Sequence, residues 1–232
     1  MELIWEGIVQ AFWLLLSGDR EVMSITLLSL GISATATGIS LLVGIPLGTL
    51  IALARFPLRS LVVSLINTGM GLPPVVVGLF VSIFLWRSGP LGFFELLYTP
   101  TAIVIAQFII AAPIVTGLTL AAVQQISPEF RLQMLALGAS RAQLLWVLAR
   151  EARLPMLAAV MAGFGGVISE IGASMMVGGN IRGQTRVLTT ATVLETGKGN
   201  FDVAIALSIL LLLITFMVNW ALTWIQQRRR PA

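Results

Sequence analysis

Polar and charged positions in this chain are confined to short breaks between long apolar runs. A hydrocarbon core of about 30 Å takes about 20 predominantly apolar residues to cross in helical form. Five stretches reach that length: Val22–Ala54, Ser60–Trp86, Leu96–Ile126, Leu154–Ile181 and Val203–Gln226, the fourth broken only by Glu170. All are far longer than strands, and an open sheet cannot satisfy its edges in lipid, so the pattern predicts helices. The segment Leu3–Leu16 is shorter and carries Glu6 and Gln10. It predicts an interfacial helix lying on the membrane, with a sixth span as the alternative. The layout is an interfacial segment over 1–21, a membrane domain over 22–227 and a basic tail over 228–232.

The apolar runs are not plain rods. Pro46, Pro73, Pro74 and Pro113 fall at membrane depth, where each removes a backbone hydrogen bond that a neighbour must replace. Small residues recur between Gly31 and Gly38, which permits close helix approach. Asn67, Gln107, Thr116, Ser169 and Asn219 either pack against other helices or line a wet path, and periodicity leaves both open.

The polar insert between the third and fourth runs, including "LALGASRAQLLWVLAREARLP" over Leu135–Pro155, has its own helical grammar. Ser127 can cap a helix, with Pro128 at its first position and Glu129 in the first turn, where the helix dipole favours a negative charge. Phe130, Met134 and Leu137 follow at helical spacing. Gly138 can take the left-handed conformation that ends this helix. Ser140 with Gln143 forms a capping-box pattern that starts a second. Leu144, Leu145 and Leu148 give that second helix an apolar face. We expect the face to be uncovered within the chain, so that it calls for a partner. Pro155 marks the start of the fourth run.

Charge sets the orientation. With the N-terminus outside, one side receives Arg55, Arg59, the insert's Arg131, Arg141, Arg150 and Arg153, and the tail's Arg228, Arg229 and Arg230. The other side's basic residues are diluted by Glu2, Glu6, Asp19, Glu21, Glu95, Glu195 and Asp202. The positive-inside rule puts the first set in the cytoplasm and the segment Gly178–Asn200 outside. Composition agrees: 57% of the 232 residues are hydrophobic and 10% charged, against about 25% charged in soluble domains. Mean hydropathy is +0.98. The chain has no histidine and no cysteine, which excludes thiolate and imidazole metal sites, disulfides, cysteine nucleophiles and histidine bases. The net charge of +4 is spread over separate loops and reports orientation rather than a nucleic-acid partner. The first residues, with Glu2 and Glu6 and no basic n-region, do not read as a signal peptide.

Three stretches carry a resemblance. Gly138 with Ala139, Ser140 and Arg141, closed by Leu154–Pro155, resembles the cytoplasmic "EAA" loop of binding-protein-dependent ABC importer permeases. Two positions depart from it: Leu132, Gln133 and Met134 stand where the family has Glu-Ala-Ala, and Arg150–Glu151 replaces an earlier Leu-Pro. "GLPPVVVGL" (Gly71–Leu79) looks like the Leu-Pro-Pro-Val-Val-Val-Gly of the molybdate-type members. "SEIGASMMVGGNIRGQTRVLTTA" (Ser169–Ala191) resembles their Gly-Glu-x-Gly-Ala segment and the Gly-Asn-Ile-x-Gly-x-Thr that follows. These details, with "REARLP" and "LETGKGNF", are closer to the tungstate-type branch.

The resemblance implies a five-helix type I importer transmembrane domain, in the bacterial or archaeal cell membrane, that imports an oxyanion: tungstate, then molybdate, with sulfate as the alternative. It implies a homodimer, two copies of a cytoplasmic ATPase carrying ATP and Mg, and an external oxyanion-binding protein. The chain itself would bind no cofactor or metal, since no Gly-x-x-x-x-Gly-Lys-Ser/Thr occurs and Lys198 is followed by Gly. On this reading Glu129, Met134, Leu135, Gly138, Ala139, Ser140 and Arg141 couple to the ATPase. Pro73, Pro74, Ser169, Glu170 and Gly172 belong to the path or its gate. A carboxylate would repel an anion, so Glu170 is expected in a helix-bundle hydrogen bond or a gate contact rather than on the substrate. Outside, Asn180, Arg182, Thr185 and Arg186 either meet the binding protein and anion, or form a loop whose arginines pair with Glu195 or Asp202. A stand-alone secondary transporter is the competing reading, but no inverted repeat is detectable and membrane acids and histidines are scarce. A membrane enzyme lacks any acid–base or nucleophile pair to assemble.

Overall fold

The computed structural model describes residues 18–228, together with residues 5, 7–9 and 13. Most of the interfacial segment proposed for Leu3–Leu16, and the tail beyond 228, lie outside the described residues. Those described within the segment are helical, and Gly7 packs against Ile205 so closely that no side chain would fit between them.

The remaining elements are all helices: α1 (Arg20–Leu53), α2 (Arg59–Met70), α3 (Pro74–Leu85), a 3₁₀ turn (Gly92–Phe94), α4 (Pro100–Gln124), α5 (Pro128–Ala136), α6 (Arg141–Glu151), α7 (Arg153–Ile168), α8 (Gly172–Gly178), α9 (Leu188–Gly197) and α10 (Phe201–Arg228). Asp19 starts α1 by accepting from the backbone N–H groups of Glu21 at 3.0 Å and Val22 at 2.9 Å. Thr99 and Pro100 start α4 in the same manner.

Helices α1, α4 and α10 are each long and apolar enough to cross a membrane unbroken. The second and fourth apolar runs are not single helices. The second is broken between Met70 and Pro74, and its halves α2 and α3 meet at 99°. The physical cause is the Pro73–Pro74 pair: it removes successive donors, and its first ring bars Leu72 from helical geometry. Pro74 then sits comfortably at the first position of α3. The fourth run divides into α7 and α8 at Ser169–Ile171. By contrast, α1 runs through Pro46 and α4 through Pro113.

Helices α1 and α4 pack along one another as the axis of the fold. A Cβ on Gly44 would stand 2.8 Å from Val115, and one on Gly48 2.6 Å from the Thr116 carbonyl. The two backbones touch, which is how helices associate where lipid offers no hydrophobic drive. Ile32, Val77, Val81, Ala106, Ile110, Val167 and Val177 close the core around them. Some hydroxyls within the apolar helices are satisfied locally, while those of Thr37 and Thr119 are buried without a partner among the described residues. Ser40 donates to the Ala36 carbonyl at 2.8 Å and Thr116 to Ala112 at 2.7 Å. Gln107 donates to the Val167 carbonyl at 3.0 Å and is 2% exposed, so these two polar positions pack within the chain.

The charged sets sit at opposite ends. The start of α1 clusters with α9 and the start of α10 through Val22, Ile25, Leu188 and Leu207. At the other end Ala122, Val123, Ala152 and Met156 gather with Leu53, and Gln226 donates to the Leu154 carbonyl at 3.3 Å.

Candidate functional site: two broken helices, an outer cleft and a basic turn

The two breaks meet inside the bundle. A Cβ on Gly172 would stand 2.7 Å from Val75 of α3, and one on Gly78 2.7 Å from the Ala173 Cα of α8. Glycine is therefore required where the half-helices cross. Pro73, Pro74, Glu170 and Gly172 are brought to this crossing, with exposed Ser169 beside it. Glu170 is 8% exposed. Its Oε1 accepts from the Ala173 N–H at 2.8 Å, so the carboxylate caps the first turn of α8, where backbone donors and dipole welcome it. Its backbone carbonyl accepts from Thr189 Oγ1 at 2.9 Å. The charge is thus turned into the protein.

At the outer end, Gly179, Asn180 and Gly183 have φ of +69°, +52° and +74°, and the loop between α8 and α9 turns on them. Thr185 is buried: it donates to the Gly178 carbonyl at 2.5 Å and accepts from the Ile181 N–H at 3.0 Å. Asn180 donates to the Thr190 carbonyl at 3.4 Å. These two hold the loop together; Arg182 projects from it, while the Arg186 side chain is largely buried. Their partner is Glu21, which neither alternative named, rather than Glu195 or Asp202. Arg182 Nε donates to Glu21 Oε1 at 2.8 Å and its Nη2 meets Oε2, while Arg186 Nη1 lies 3.6 Å from Oε1. Glu195 is already occupied by Lys198 and Asn200, each at 2.7 Å. Those hydrogen bonds, Lys198's first, hold its carboxyl below the ordinary range. The hydrogen bond and then the charge of Glu21 raise the already high pKa of Arg182. Asp19, Glu21, Arg182, Arg186, Glu195 and Lys198 line a cleft of about 420 Å³ floored by Val22, Ile25 and Leu207. No sequence signal marked Glu21, which lies 161 residues from Arg182.

At the opposite end the expected turn is present in detail. Ser127 accepts from the Phe130 N–H at 3.3 Å, with Glu129 in the first turn of α5. Gly138 has φ +81°. Its N–H donates to the Leu135 carbonyl at 3.0 Å and the Ala139 N–H to Met134 at 3.1 Å, the paired bonds that close a helix on a left-handed residue. Ser140 and Gln143 then exchange bonds of 2.8 and 3.3 Å to start α6. One expectation is corrected. Leu144 and Leu148 are 6% and 1% exposed, because α6 folds back onto α1 and α7. The uncovered apolar surface is instead Leu132, Leu135, Leu137 and Trp146, with the Arg150 guanidinium 5.2 Å from the Trp146 ring centre.

Broken apolar helices around a glycine crossing, with a capped helix–turn–helix at one end, define a helical membrane transport component. The chain belongs to the family of binding-protein-dependent transport system inner membrane components, whose sequence pattern matches residues 44–231. It is accordingly a multi-pass protein of the cell membrane. It is 41% identical to the tungstate uptake system permease protein of Peptoclostridium acidaminophilum, over 98% of this chain and all of that one. It is also 41% identical to a probable anion ABC transporter permease of Haloferax volcanii, over 85% of this chain and 88% of that one. Among solved structures, the inward-facing MetNI methionine ABC transporter superposes with a TM-score of 0.74 at 19% identity, over 95% of this chain and 98% of that one. The fold is that of type I ABC importer transmembrane domains.

Proposed function

We propose that this chain is the permease subunit of an ATP-driven importer of a tetrahedral oxyanion, tungstate first and molybdate next. It works as a homodimer with two copies of a separate ATPase, which carries ATP and Mg, and with an external binding protein that makes the selection among anions. The observation that carries this reading is the end-to-end 41% identity to a tungstate uptake permease. The turn at Gly138 supports the coupling role, because it presents Leu132, Leu135, Leu137 and Trp146 outward beside arginines. The chain hydrolyses no ATP itself.

Reconstitution tests this. Permease, ATPase and binding protein together in proteoliposomes should accumulate tungstate only with ATP inside and binding protein outside, and molybdate should compete better than sulfate. Uptake by the permease alone would favour a secondary transporter. Preferential uptake of sulfate would reassign the substrate.

A further inference from the structure

Helix α2 carries three distinct faces. Val62, Val63, Ile66 and Gly69 are half-buried and face α4: a Cβ on Gly69 would stand 2.8 Å from Pro113, and one on Gly117 3.4 Å from Ile66. Leu61 and Leu65 form an exposed apolar strip. Between these two lies a polar arc of Ser60, Ser64, Asn67 and Thr68, all exposed and at the spacing of one helical face. Thr68 donates to the Ser64 carbonyl at 2.8 Å, but the Asn67 amide has no hydrogen-bond partner among the described residues.

This arc lies at membrane depth. Arg59, at the start of α2, donates to the Ile51 carbonyl near the end of α1 at 3.1 Å. Gly69, near the other end, touches Pro113 midway along α4. An unpaired amide facing hydrocarbon is strongly disfavoured, while Leu61 and Leu65 on the adjoining strip suit lipid. The upper end of the arc runs into the break before Pro73, where Val75 meets Gly172 and Ser169 is exposed. The arc holds no acid.

We propose that the Ser60–Ser64–Asn67 arc lines the half of the translocation route between Arg59 and the mid-membrane crossing, with the Asn67 amide donating to the passing oxyanion. This rests on the oxyanion-import reading. Neutral donors replace part of the anion's hydration without the tight grip of an arginine, which suits a site that must release what it holds.

Single cysteines introduced into this cysteine-free chain test the arc in the complex with its ATPase. A thiol reacts as thiolate, which forms in water and not in lipid. In inverted vesicles, Ser60→Cys, Ser64→Cys and Asn67→Cys should react with an anionic methanethiosulfonate at least ~10-fold faster than Leu61→Cys and Leu65→Cys. In proteoliposomes, Asn67→Leu should lower tungstate uptake about 5-fold, the loss of one hydrogen bond, and Asn67→Gln should restore most of it. ATPase co-purification should be unchanged in both. Equal labelling of the polar and apolar positions, or full uptake by Asn67→Leu, would overturn the proposal. The labelling contrast needs no transport, so absence of tungstate uptake by the unaltered complex would count against the import reading separately.

Discussion

At Gly138 the backbone alone demands glycine. Its φ is +81°, yet a Cβ there would meet nothing within 4 Å. Substitution should therefore cost left-handed strain, about 1–2 kcal/mol, and no clash. Asparagine tolerates this conformation and β-branched residues do not. Gly138→Val should abolish co-purification of the ATPase and tungstate uptake while leaving membrane insertion intact, and Gly138→Asn should retain both. Normal uptake by the valine variant would remove this turn from the coupling surface. The turn was legible in the sequence because each of its bonds joins residues only a few positions apart: Ser140 reads Gln143, and Gly138 reads Leu135. The partner of Arg182 was illegible for the opposite reason. Lys198 and Asn200 take Glu195 locally, and nothing in the chain's pattern points from an arginine in one loop to an acid in the first turn of a distant helix.

Among elements, apolar content is readable and continuity is not. The run Ser60–Trp86 has the hydropathy of one span, but two consecutive prolines make it α2 and α3 at 99°. The second break, at Ser169–Ile171, shows in the sequence only as a lone glutamate, whose capping of α8 appears once the fold is known. The outward face assigned to Leu144 and Leu148 failed because a helical wheel cannot tell whether α6 folds back on α1. The loop joining α8 and α9 yields a prediction on this scale. Arg182 ties it to α1 through an exposed ion pair with Glu21, which Arg186 also approaches, so the tie should be weak and screened by salt. Glu21→Gln and Arg182→Gln should each lower the thermal stability of the detergent-solubilised chain slightly, and together no more than Glu21→Gln alone at low salt, since Glu21 also faces Arg186. Strict additivity at both low and high salt would mean that the pair contributes nothing to the tie.

The whole molecule separates its charges along one axis. Asp19, Glu21, Arg182 and Lys198 share the cleft at one end, and Leu53, Ala152 and Met156 mark the other. We expect the cleft end outside and the Gly138 turn in the cytoplasm, the orientation the arginine distribution implies. Cysteines placed singly at Asp19, Ser140 and Gly197 should be labelled by an impermeant thiol reagent on intact cells at the first and third positions and spared at the second. The reverse pattern would overturn both the orientation and ATPase docking at Gly138. The ion pair across the cleft also has a consequence in time. Glu21 leaves the ribosome 161 residues before Arg182, which at roughly 5–20 residues per second is about 8–30 s. During that interval α1 is in place without its outer partner, and the cleft is complete only once Leu207, in the first turns of the last helix, has followed. The outer end of this protein therefore stays open through most of its synthesis, although its first wall is among the earliest parts made.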